Sequence, residues 1–267
     1  MKLPFTKYDG AGNDFIAIDM RKLSVDLSPT LVARLCHRRF GIGADGVIAL
    51  YDANDGYDFE MRYYNSDGYL GTMCGNGGRC IAMFAHTLGL SHRNEHSQPK
   101  LTFKASDGPH HATILLWDNA TGIGLVELSM HDIERNNIRR CLDGWFLDTG
   151  SPHYVQRVEN LSEYDVFTHG KELRNNSEEF PEGTNVDFIE DMPDGSLFVR
   201  TFERGVEDET WACGTGVTAA AIVSGNGRIK TRGGDFKVTF NTDGKAYTNV
   251  HLTGPVSRNF SGEYNNQ

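Results

Sequence analysis

The chain has little of what would mark it for a membrane, for secretion or for nucleic acid. No stretch comes near the roughly 20 apolar residues of a membrane span. The amino terminus, "MKLPFTKYDG", lacks the apolar run of a signal peptide. Positive charge is scarce: 26 Lys and Arg against 36 Asp and Glu leave a net charge of −10. Binders of a phosphate backbone usually carry a basic face, so no nucleic-acid partner is expected. Cysteine is scarce too. The five present (Cys36, Cys74, Cys80, Cys141, Cys213) are odd in number and scattered, which is no disulfide framework. The expectation is a cytoplasmic chain with free thiols and no membrane contact.

What is there is ordinary in amount. The 267 residues are 39% hydrophobic and 23% charged, enough for a real core in one large domain or two modest ones. Strand signals dominate. "FIAIDM", "GVIAL", "FEMRYY", "HATILLW", "VDFIED", "LFVRTFE" and "DFKVTF" are rich in β-branched and aromatic residues and bounded by turn residues. "NDG" at 54–56 and "PDG" at 193–195 read as hairpin turns. Three helices are expected: "SPTLVARLCHRRF", with a Ser28 cap and Pro29 at its first position, "GGRCIAMFAHTLGL" and "GVTAAAIVSG". The last is apolar nearly all round and reads as buried.

The order of signals repeats. Gly12, Gly43, the Asp55–Gly56 turn, Arg62 and Cys74–Gly75 are matched by Gly150, Gly183, the Asp194–Gly195 turn, Arg200 and Cys213–Gly214. Gly12 to Gly43 is 31 residues, and Gly150 to Gly183 is 33. From there to the cysteines is 31 and 30. The fold class expected is α+β, with two similar, duplicated β-rich domains. Each is a barrel-like sheet wrapped around a central helix headed by a cysteine, and the active site lies in the cleft between them. The boundary is placed near "WDNATG", giving halves 1–117 and 118–257, with a tail, 258–267, returning to the first half.

Each cysteine stands directly before a glycine-rich turn into a helix, in "MCGNGGRC" and "ACGTGVTA". A helix N-terminus carries unpaired N–H groups and about half a positive charge. It can lower a thiol's pKa below the free value of about 8.5 and can hold a carboxylate. Two such devices suit one reaction: a thiolate removes the proton on the carbon next to a bound carboxylate, and the opposite thiol delivers one to the other face. A lone Cys-Gly before a helix is more often a packed thiol than a catalyst; two at equivalent places of a repeat shift the balance to Cys74 and Cys213. Cys36, Cys80 and Cys141 read as structural. No metal is expected, because the Cys74–Cys80 spacing is wrong for a zinc knuckle, and "SHRNEH" is a weak pattern. His92, His96, His110 and His111 read as loop residues.

At these residues the chain closely resembles the diaminopimelate epimerase family. The likeness runs through "GAGNDF" (10–15), "RRFGIGADG" (38–46), "MRYYNSDG" (61–68), "MCGNGGRC" (73–80), "GSPHYV" (150–155), "GTNVDF" (183–188), "RTFERG" (200–205) and "TWACGTG" (210–216). The resemblance implies a cofactor-independent isomerase of lysine and peptidoglycan-precursor biosynthesis that interconverts LL- and meso-diaminopimelate. It is implied to be a homodimer. The alternative is a racemase or epimerase of another amino acid, proline-racemase-like.

Carried over by that resemblance, Cys74 and Cys213 are the acid–base pair. Gly75 with Asn76, and Gly214 with Thr215, donate backbone N–H groups to the reacting carboxylate. Asn13, Asn65, Asn185, Glu203 and Arg204 hold the substrate's polar groups, and His153 and Glu203 tune the cysteines. On their own, Asn65 and Asn185 read equally as turn residues, and His153 as a satisfied surface histidine. The chain departs from the family pattern in three places. Ser151 stands where an asparagine is frequent, and Gly46 where some members carry glutamine. The segment "ERGVEDETWACGTG" is one residue longer than the commoner form.

Overall fold

The computed structural model describes residues 2–93 and 97–265. The chain forms two compact units. One runs to Leu128 and takes the chain up again from Pro255; the other spans Ser129–Gly254.

The first unit contains β1 (Lys2–Gly10), β2 (Asn13–Asp19), α1 (Pro29–Cys36), β3 (Gly46–Tyr51), β4 (Phe59–Asn65), α2 (Gly75–Thr87), β5 (Lys100–Ala105), β6 (Gly108–Asp118) and β7 (Ile123–Ser129). The second contains β8 (Ile133–Glu134), β9 (Arg139–Cys141), β10 (Gly144–Asp148), β11 (Pro152–Arg157), α3 (Val166–Arg174), β12 (Asn185–Asp191), β13 (Leu197–Glu203), β14 (Asp208–Thr210), α4 (Gly214–Ser224), β15 (Arg228–Lys230) and β16 (Asp235–Thr242). A long last strand, β17 (Ala246–Asn265), begins in the second unit and ends in the first.

Strand pairing follows one order in both units. In the first, β1–β2 is antiparallel, β2–β3 parallel, β3–β4 antiparallel, β4–β5 parallel, and β5–β6 and β6–β7 antiparallel. The circuit closes through β17, which pairs with both β7 and β1. In the second, β10–β11 is antiparallel, β11–β12 parallel, β12–β13 antiparallel, β13–β15 parallel, and β15–β16 and β16–β17 antiparallel. There β17 goes on to β8, and β9 pairs with β10.

The helices follow from that order. Parallel neighbours cannot be joined by a tight turn and need a crossover. Each unit has two parallel steps, and each step holds one helix: α1 and α2 in the first, α3 and α4 in the second. Helix α2 packs against β1, β2, β3, β4 and β6, and α4 against β10, β11, β12, β13, β15 and β16. Both are buried along most of their length. Val217 and Ile222 of α4 are almost fully buried, worth about 1.5–3 kcal/mol each.

Helix α1 starts as expected, with Ser28 Oγ accepting from Leu31 N at 3.4 Å. It stops at Cys36 and does not reach Phe40. The chain turns back there, and the N–H groups of Ile42, Gly43 and Ala44 take the carbonyls of Leu35 and Cys36. Helix α3 was not expected, because only Val166 and Gly170 are buried and no apolar stripe marks it. Its quiet signals are Asp165, whose carboxylate accepts from Thr168 N at 3.0 Å, and Lys171 and Arg174 in the last turn. The turn at "WDNATG" joins β6 to β7 inside the first unit, and the change of unit follows Leu128. His110 and His111 are strand residues of β6, contrary to the loop reading, and His110 stacks on Phe103 at 5.4 Å. His92 bridges to Lys100, and His96 lies outside the described residues. Among the described residues no helix is long and apolar enough to cross a membrane.

Candidate active site

Each unit presents a helix whose N-cap is a cysteine. In the first, Cys74 is extended (φ −107°) and its carbonyl accepts from Gly78 N at 2.7 Å. The amides of Gly75, Asn76 and Gly77 occupy the first turn, where a helix supplies no acceptor. Cys74 Sγ lies 3.6 Å from Asn13 Oδ1, which also accepts from Asn76 Nδ2 at 3.3 Å. Asn76 Oδ1 accepts from Arg79 Nη2 at 2.9 Å. Arg79 is fully buried. Burial pulls its guanidinium down to about 10, against the Cys80 and Cys74 sulfurs, which push the other way.

The Asn13 amide is oriented from behind. Its Nδ2 donates to Asp45 Oδ2 at 2.7 Å. Asp45 shares Arg38 with Asp14, and Asp14 also pairs with buried Lys7 at 2.6 Å. Burial pushes the Asp14 carboxyl up, but Arg38 and Lys7 more than offset this and hold it at about 2. A carboxylate depressed on folding stabilises above its ordinary pKa and loses that contribution as pH falls through the folded value. Asp14→Asn, which leaves Lys7 buried beside a neutral group, is expected to destabilise the fold by about 2 kcal/mol at neutral pH. In urea titrations that gap should close as the pH is lowered from about 4 to about 2.

In the second unit, Cys213 caps α4 in the same extended form (φ −111°), and its carbonyl accepts from Val217 N at 2.8 Å. Its Sγ lies 3.3 Å from Thr215 Oγ1. Thr215 Oγ1 is 2.9 Å from His153 Nε2 and 3.2 Å from Ser151 Oγ. His153 Nδ1 is 2.7 Å from Asp187 Oδ2, and both side chains are 0% exposed. Asp187 Oδ1 accepts from Thr201 Oγ1 at 2.7 Å. Asn185 donates from Nδ2 to the Pro152 carbonyl at 2.9 Å and accepts the Arg204 amide at 2.9 Å.

The expected lowering of the thiol pKa does not hold at Cys213. Burial pushes this thiol well above its ordinary range, and the carboxylates of Glu203 and Asp187 push it the same way. The Thr215 hydroxyl and the Gly216 amide act against them and are outweighed. Desolvation outweighs the helix terminus here and favours the neutral thiol. Burial likewise raises Cys36, to about 12, and raises Cys80 and Cys141.

A match to the diaminopimelate epimerase family covers residues 5–109 and 145–258, taking in both cysteine-headed helices. The chain belongs to the diaminopimelate epimerase family. Family membership makes it an isomerase. It is 44% identical to a diaminopimelate epimerase of Flavobacterium psychrophilum, over 94% of this chain and 95% of that one. It is 41% identical to one of Chlorobaculum tepidum, over 95% and 98%. Among solved structures, a probable proline racemase of Agrobacterium radiobacter shares the fold at TM-score 0.74 and 15% identity, covering 99% of this chain and 93% of that one. A phenazine biosynthesis protein of the PhzF family from Bacillus anthracis does so at TM-score 0.71 and 14% identity, covering all of both.

The residues singled out in the sequence fall as follows. Asn13, Cys74 and Asn76 share one hydrogen-bonded group, and His153, Asn185, Cys213 and Thr215 another. Glu203 ends β13 and acts on Cys213 through its charge. Arg204 donates through Nη1 to the Glu182 carbonyl at 3.0 Å. Asn65 ends β4, where its backbone closes a turn with Gly68 and Tyr69. His153 is buried on β11, not a surface histidine, and Asn185 begins β12, not a turn. Gly46 has no room for a glutamine, since a Cβ there would press on Tyr63 and on the Tyr64 carbonyl. Ser151 keeps a polar role, 3.0 Å from His153 Nε2. Asp45 and Asp187 were missed. The available signal for Asp187 was a carboxylate set in the otherwise apolar part of "NVDFI".

Proposed function

We propose that the chain interconverts LL- and meso-2,6-diaminopimelate without a cofactor, with Cys74 and Cys213 as thiolate base and thiol acid. The observation that carries this reading is the cysteine N-cap repeated on two helices, in a chain of this family. Each sulfur stands beside amides that lack a helical acceptor and that suit one carboxylate. As the α-proton leaves, negative charge spreads onto that carboxylate, and preorganised donors stabilise it most at that moment.

In each turnover one sulfur takes the α-hydrogen as a proton. The other gives a proton to the opposite face of the same carbon, so the configuration inverts and no net proton is consumed. The roles exchange in the reverse direction. Gly75, Asn76, Gly214 and Thr215 serve the reacting carboxylate, and Asn13, Asn65, Asn185, Glu203 and Arg204 serve the remaining polar groups. Arg204 suits a carboxylate because its guanidinium offers two parallel donors. A homodimer and a cytoplasmic setting in lysine biosynthesis belong to the same reading.

The test is incubation of the purified chain, reduced and without added cofactor, with LL-diaminopimelate in heavy water. The meso isomer should appear with solvent deuterium at one α-carbon, while proline under the same conditions keeps its α-hydrogen. Exchange into proline and not into diaminopimelate would overturn the substrate assignment.

A further inference from the structure

The two units treat one position in opposite ways. Register equates the first pair of β2–β3, Phe15 with Gly46, and the first pair of β11–β12, His153 with Asn185. Two residues further along, Ala17 pairs with Ile48 and Val155 with Asp187. Phe15 and His153 are therefore equivalent, and so are Ile48 and Asp187. All four are fully buried. Each β3 or β12 residue lies under the third residue of its cysteine-headed helix: Ile48 under Gly77 and Asp187 under Gly216.

The first unit fills this place with apolar side chains, which shows that the fold has no need of charge there. Burying a carboxylate and an imidazole at the equivalent place is costly unless every group is satisfied. The pair is satisfied in one particular way. Asp187 accepts from Thr201 and from His153 Nδ1, so Nδ1 carries the hydrogen and Nε2 offers its lone pair. That nitrogen is turned to the Thr215 hydroxyl at 2.9 Å, which stands 3.3 Å from the Cys213 sulfur.

We propose that Asp187 is the positioning residue of an Asp187–His153–Thr215 chain that takes the proton of Cys213 and so makes its thiolate. This rests on the acid–base role of Cys213 proposed above. In the step, the Cys213 S–H proton passes to Thr215 Oγ1 while the Thr215 hydroxyl proton passes to His153 Nε2. One S–H and one O–H bond break, and one O–H and one N–H bond form. Thiolate and imidazolium result, the hydroxyl is regenerated, and Asp187 keeps accepting from Nδ1 of the imidazolium. Ser151, 3.0 Å from the same nitrogen, is the second hydroxyl of the group.

The experiment combines nitrogen-15 histidine labelling of the full chain, without substrate, with steady-state turnover. In the parent, His153 should show hydrogen on Nδ1 and a bare Nε2. Asp187→Asn keeps the shape but can donate to Nδ1, so hydrogen should move to Nε2 and kcat should fall about a hundredfold with KM changed less than about threefold. Thr215→Val should lower kcat by a similar factor, and Thr215→Ser should restore it to within about threefold of the parent.

A parent His153 with hydrogen on Nε2 would overturn the proposal, as would an Asp187→Asn chain with parental tautomer and kcat. Failure of Thr215→Ser to recover would remove the hydroxyl from the path. If the parent exchanges no α-hydrogen at all, the proposed reaction fails, and the tautomer measurement still decides whether Asp187 sets the histidine.

Discussion

Cys74→Ala and Cys213→Ala are each expected to lower turnover in both directions by about a thousandfold or more, since a positioned acid or base contributes about 10²–10⁴. In the proposed mechanism each turnover needs one sulfur to take a proton and the other to give one, so losing either stops inversion in both directions. The double variant should be little slower than either single one, because the two groups act as a unit. Removing a sulfur leaves a small void, which costs about 1 kcal/mol and moves the melting midpoint by about 2–4 °C in a chain of this size. A folded but inactive protein is therefore the expected result, read by α-hydrogen exchange beside a melting curve. A single-nucleophile mechanism predicts instead that one of the two variants stays near parental activity, and that outcome would remove the two-base assignment.

Much of the architecture could be read from residue order. Glycines at matching intervals, the two Asp-Gly turns and the two Cys-Gly helix starts place equivalent elements in both units. The structure gives those turns left-handed backbone at Gly12, Gly43 and Gly56 in one unit and at Gly150, Gly183 and Gly195 in the other. Local chemistry carried that information: a left-handed turn calls for glycine, and an apolar helix calls for burial. Helix α3 escaped because tertiary contacts hold it and its sequence is polar. Its Gly170 rests directly on Phe202, a contact no local pattern announces.

The site was legible in kind and not in electrostatics. Position before a helix identifies a cysteine that can act, and "GSPH" and "ERG" mark where its neighbours fall. Whether the thiol is raised or lowered depends on how deeply it is buried and which carboxylates face it. At Cys213 those carboxylates are Glu203 and Asp187, brought to the sulfur from β13 and β12. The same reason hid Asp187. A single carboxylate in a strand reads as a solvent-facing residue until the pairing shows Thr201 and His153 closing around it. Ser151 reads as a lost contact against the family pattern, and the structure gives it a new one.

Gly216→Ala and Gly77→Ala should differ sharply although both change the third residue of a cysteine-headed helix. Neither glycine adopts left-handed backbone, so alanine's gain in helix propensity, about 0.5–1 kcal/mol, is available to both. At Gly77 a new Cβ meets Ile48 Cγ2 and Met61 Cε at 3.4 Å, ordinary contact with apolar side chains. Gly77→Ala should therefore be neutral or slightly stabilising, with parental turnover. At Gly216 the new Cβ overlaps Asp187 Oδ1 and stands 3.0 Å from its Cγ and 3.2 Å from His153 Cε1. Asp187 cannot swing aside without leaving both Thr201 and His153. Overpacking of this kind costs about 1–3 kcal/mol, and displacing the carboxylate frees the imidazole from its orientation. Gly216→Ala should lose that much stability in urea unfolding and, in the fraction that stays folded, turn over about tenfold or more slowly. Equal behaviour of the two variants would mean that the contact between α4 and the His153–Asp187 pair is looser than the geometry describes. In that case the apolar and charged versions of this position would be interchangeable for the fold and for the chemistry alike.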